Sequence, residues 1–63
     1  MMTNFSELLI MARAKMDWTQ KELAEYLGVG STTLWRWETA GDMPHQKTIV
    51  QVKMKLKELD KQN

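Results

Sequence analysis

The 63-residue chain predicts an all-α fold, a compact bundle of about four helices. Three observations carry that expectation. Apolar residues recur at helical intervals along most of the sequence, and no alternating apolar–polar run bounded by turns marks a strand. Residues suited to capping helices also stand directly before the apolar stripes. The length allows a single domain, 1–63, with a core at the size where packing alone is only marginally stabilising.

The first helix opens in "TNFSELLIMARAKMDW". Asn4 stands three residues before Glu7, a capping-box-like start. Leu8, Leu9, Ala12 and Met16 then share one face, so a helix is expected from about 5 to 16, stopping at Asp17. "TQKELAEYL" repeats the logic: Thr19 and Glu22 have capping-box spacing, and Leu23, Ala24 and Leu27 form the inner stripe. Gly28 enters the left-handed conformation without a Cβ penalty, which places the end of this helix at about 27. Gly30 or Ser31 caps a third helix of about 31 to 38; Gly41 breaks it, and Pro44 keeps Met43 from helical angles. Ile49, Val52, Leu56 and Leu59 then mark a last helix of about 47 to 60, with Val50 and Met54 beside them and lysines opposite. Trp18 and Trp37 are expected in the core, Tyr26 on a helix surface, and the methionines as gap-fillers.

Composition excludes several classes. Cysteine is absent, so neither disulfides nor thiolate metal sites support the fold. His45 is the sole histidine, and the acidic residues show no acid–base or metal-ligand spacing. No enzymatic activity, cofactor or metal is therefore expected. No apolar run approaches the roughly 20 residues of a membrane span, and no signal-peptide pattern is visible, so a cytoplasmic location is expected. The net charge is +1, unevenly spread: residues 1–46 carry four bases and six acids, whereas 47–63 carry five lysines against Glu58 and Asp60. Such a tail suits either proximity to an anionic polymer or an ordinary solvated helix face.

The stretch "GVGSTTLWRWE" sets an arginine between two tryptophans. On a helix, Trp35, Arg36 and Trp37 point about 100° apart, so they cannot all be buried. Two helices crossing steeply through a short turn need a small residue where their backbones approach, a glycine at the turn, and apolar residues at fixed offsets. Counting from Gln20 as position 1, Ala24 is position 5, Gly28 is 9, Val29 is 10, Leu34 is 15 and Trp37 is 18. Each demand is met without a gap. Leu34 and Trp37 form the inner face, leaving Ser31, Thr32, Trp35, Arg36 and Thr39 on the opposite one.

"TQKELAEYLGVGSTTLWRWE" resembles the helix-turn-helix of the phage repressor/Cro (XRE-type) DNA-binding family. The likeness extends over about residues 7–59. Arg13 lies seven residues before Gln20, Pro44 lies six after Glu38, and "TIVQVKMKL" matches the family's next helix. Asp17 replaces a usual glycine, "ETAG" stands for the usual "ENG", and no clear fifth helix is legible. The resemblance implies a lambda repressor-like fold and a transcriptional regulator that reads double-stranded DNA with helix 31–39 in the major groove. It implies that Ser31, Thr32 and Arg36 read bases, that Gln20 and Thr39 touch phosphate, and that Arg13 pairs with Glu38. It also implies a homodimer on a near-palindromic operator, in a phage or prophage control setting. Trp35 is open between the rim of the DNA face, a contact with a partner subunit, and packing within the protein.

Two other readings compete. An excisionase or MerR-like module would also use "YLGVGSTTLWRWETAGDMP", but follows the proline with a β-wing, whereas this tail has helical spacing. A protein-binding antitoxin or anti-repressor would not need Ser, Thr and Arg displayed together on the third helix.

Overall fold

The computed structural model describes residues 4–61. The side chain of Asn4 accepts the Glu7 N–H at 2.8 Å, starting α1 (Phe5–Met16). α1 ends in a two-bond reversal: the Trp18 N–H reaches the Arg13 carbonyl at 2.9 Å and the Asp17 N–H reaches that of Ala14 at 3.3 Å. The reversal puts Asp17 at φ 57°, left-handed backbone rare for a residue with a side chain. Thr19 and Glu22 then form both halves of a capping box, at 3.1 and 2.8 Å, and α2 (Gln20–Leu27) follows. It closes as α1 does, with Gly28 at φ 76° and the Val29 N–H on the Ala24 carbonyl at 3.0 Å. Each reversal delivers an apolar residue, Trp18 or Val29, against the core.

The third helix departs from expectation. α3 covers Ser31–Trp35, capped by Gly30, and continues as a wider π turn over Arg36–Ala40 rather than as α-helix to about 38. Thr39 gives a local cause: its hydroxyl donates to the Trp35 carbonyl at 2.7 Å, competing with the backbone ladder at the i−4 position. Gly41 at φ 76° ends the turn. After the loop, α4 (Gln46–Lys61) extends one residue beyond each expected end. Among the described residues there is no strand, and a helix stands where a winged module needs its β-wing.

Phe5, Leu9, Leu23, Ala24, Leu27, Leu34, Trp37 and Val52 make the core, with Phe5 and Trp37 meeting edge-on at 5.7 Å between ring centroids. The inner stripe of α1 is therefore Phe5 and Leu9. Leu8, Ala12 and Met16 are only half-buried, because α1 turns its Phe5–Leu9 edge to the π turn and leaves the neighbouring edge at the looser seam with α4. Val50 and Met54 are exposed, being on the outer side of α4. Trp18 is half-buried rather than core, its ring tilted against Tyr26 at 5.3 Å. The radius of gyration is 10.8 Å, close to the roughly 10.6 Å of a compact chain this long.

Candidate nucleic-acid interface

Positioning begins inside the protein. Leu34 is completely buried and Trp37 is 7% exposed, fixing two points of the third helix on α1 and α2. A third anchor is polar. The Glu38 side chain, 3% exposed, accepts Arg13 Nη1 at 2.6 Å and Gln20 Nε2 at 3.2 Å on its Oε1, so one oxygen gathers donors from α1 and α2. Its Oε2 is buried without a hydrogen-bond partner among the described residues. Arg13 also donates from Nε to the Trp18 carbonyl at 3.3 Å, and Ser6 Oγ donates to the Glu38 carbonyl at 2.6 Å. The π turn is thus held by charge and hydrogen bonds as well as by apolar contact.

The opposite face is open. Ser31, Thr32, Trp35, Arg36 and Thr39 are all exposed, with half of the Trp35 surface accessible. Of the chain's two arginines, Arg13 is committed internally, while the Arg36 side chain makes no hydrogen bond or ion pair among the described residues. Its planar fork of donors is free for an external acceptor. The Thr39 hydroxyl spends its proton on Trp35 and offers lone pairs only outward. The Gln20 side chain turns in to Glu38, so what it presents at the start of α2 is chiefly its first-turn backbone N–H.

Apart from the Arg13–Glu38 pair, side-chain contacts far apart in sequence had no signal in the residue pattern. Ser6 reaches Glu38 across 32 positions. Tyr26 and Lys55 exchange hydrogen bonds: the Tyr26 hydroxyl donates to the Lys55 carbonyl at 2.9 Å, and Lys55 Nζ to the Tyr26 carbonyl at 3.3 Å. Tyr26 therefore staples α2 to α4, with the Lys55 ammonium 5.8 Å from its ring centroid.

Two helices at a short glycine turn, the second buried on one side and open on the other, are the geometry of a DNA-reading motif. The sequence model of the helix-turn-helix family matches residues 9–53. The chain belongs to that family. The matched segment runs from the middle of α1 into α4 and contains Arg13, Gln20, the turn, the whole third helix and Glu38. The match is to the XRE-type helix-turn-helix, a family of DNA-binding regulators. No curated protein and no solved structure matches the chain. No helix among the described residues is long and apolar enough to cross a membrane.

Proposed function

We propose that this helix-turn-helix protein is a sequence-specific transcriptional regulator of the phage repressor or Cro kind, acting as a homodimer on a near-palindromic operator in the cytoplasm. The observation that carries the reading is the contrast between Arg36, exposed without an internal partner, and Trp37 beside it, buried as the anchor. A rigidly held helix with a free guanidinium suits bidentate bonding to O6 and N7 of a guanine in the major groove. Ser31 and Thr32, at the exposed start of α3, stand where recognition helices meet base edges, and their hydroxyls both donate and accept. Gln20 at the first turn of α2 and Thr39 past Arg36 flank that strip and hold phosphates. Trp35 covers the rim, against a thymine methyl or a sugar.

One such helix reads only a few base pairs, and two related by a two-fold axis read half-sites about 34 Å apart. The loop before α4, where Met43 is 62% exposed, or the outer side of α4 supplies the contact between copies. Gel-shift selection from a library of random duplexes tests the reading. Enrichment of a near-palindrome with half-sites one helical turn apart is expected. Retention of all duplexes alike, or of none, contradicts it.

A further inference from the structure

α1 and α4 leave an open groove of about 470 Å³ between them. Its α1 wall is Leu8, Met11, Ala12 and Lys15, standing at i, i+3, i+4 and i+7. Its α4 wall has the same register: Lys53, Leu56, Lys57 and Asp60. Leu8, Ala12 and Leu56 are half-buried on the floor, and Met11 is 59% exposed. At one end an ion pair between Lys15 and Asp60 bridges the two walls. Lys53 and Lys57 make no ion pair among the described residues, so the rim carries unbalanced positive charge.

Leu8, Met11 and Ala12 of α1, with Leu56 of α4 opposite, form an apolar seam that can seat a third helix between charged rims. The charge of the rim decides which helix. A second copy of α4 brings five lysines against two acids and would set like charges face to face. We propose that this groove docks an acidic amphipathic helix of a partner protein, its apolar stripe on Leu8, Met11 and Leu56 and its carboxylates on Lys53 and Lys57. No residue of the groove belongs to α2, α3 or the π turn, so a docked partner leaves the exposed strip around Arg36 uncovered. The regulator thereby carries a partner while bound to DNA. The proposal rests on the α1–α4 seam alone and not on the base-reading assignment.

The test titrates the isotopically labelled protein with a synthetic helix of about 18 residues, about 27 Å long, with leucines at i, i+3, i+4 and i+7 flanked by glutamates. Controls are a twin with lysines for the glutamates and a scrambled peptide of the same composition. Amide shifts at Leu8, Met11, Ala12 and Leu56, with the acidic peptide binding at least about tenfold more tightly than its lysine twin, are the expected result. The double variant Lys53→Glu/Lys57→Glu, folded by its thermal melt because both side chains are exposed, reverses that preference. Equal affinity for the two helices, equal binding of the scrambled peptide, or shifts confined to α2 and α3 would overturn the proposal. Shifts of the groove amides with protein concentration alone would assign it to a second copy, and shifts with a random duplex would assign it to nucleic acid; either result overturns the acidic helix.

Discussion

Arg13 and Glu38 meet across 2.6 Å with unequal exposure, the arginine side chain 29% accessible and the glutamate 3%. The two halves of the pair should therefore fail differently. Arg13→Ala strands a buried carboxylate whose remaining side-chain donor is Gln20 and should cost about 3–5 kcal/mol. Glu38→Ala releases an arginine that reaches water, and should cost about 1–3 kcal/mol. In a domain this size 1 kcal/mol moves Tm by about 4–8 °C, so thermal melts separate the variants. Both melting within a few degrees of the parent would mean that the pair does not hold the third helix.

The ends of α1 and α2 offer a matched comparison, since both close through the same reversal but with Asp17 in one and Gly28 in the other. Asp17→Gly removes the left-handed penalty and a negative charge at a helix C-terminus, and should stabilise by about 0.5–1 kcal/mol. Gly28→Ala creates the penalty, and although a Cβ there meets nothing within 4 Å, it should destabilise by about 1 kcal/mol. Urea unfolding of the two variants checks the signs; opposite signs would remove backbone conformation as the cause.

Trp35 and Trp37 are two residues apart and face opposite ways. Trp37→Ala empties a core site and should cost about 3–5 kcal/mol, abolishing the cooperative melt or nearly so. Trp35→Ala should stay within about 0.5 kcal/mol in stability while weakening operator binding. In a Trp18→Phe background the two remaining tryptophans differ in exposure, Trp37 being buried and Trp35 open, so the iodide-quenched fraction reports Trp35 and should fall when operator is added. Unchanged quenching places the residue off the DNA face.

Much of the fold was legible because local chemistry sets it. Thr19, Glu22 and Gly28 bound α2 by hydrogen bonds within one turn of themselves, and the structure has the same limits. Leu34 and Trp37 follow from helical periodicity alone. Periodicity does not say which edge of a stripe faces which neighbour. Leu8 and Ala12 look as apolar as Leu9, yet packing of α1 on the π turn buries Leu9 and leaves them at a seam. The π turn depends on one threonine hydroxyl choosing a carbonyl, and the Tyr26–Lys55 staple on tertiary placement of α4. The turn of Gln20 toward Glu38 likewise depends on a partner 18 residues away.

Assembly should follow the DNA rather than precede it. Exposed apolar residues on the outer side of α4 are few, Val50 and Met54, and are set among lysines. A surface of that kind supports only weak self-association. Sedimentation should show monomer at micromolar concentration and a two-to-one complex on a palindromic duplex. Full affinity for a single isolated half-site would contradict the dimer.

On the proposed reading, Arg36 contacts a base while Trp37 holds the third helix in place. The deciding measurement is binding of wild type and Arg36→Ala, at one fixed salt concentration, to a panel of operators varied one base pair at a time. The variant should melt like the parent, lose about 1–3 kcal/mol on the cognate site and lose discrimination at one base pair only. A uniform loss across every sequence would make Arg36 a phosphate contact and not a base reader.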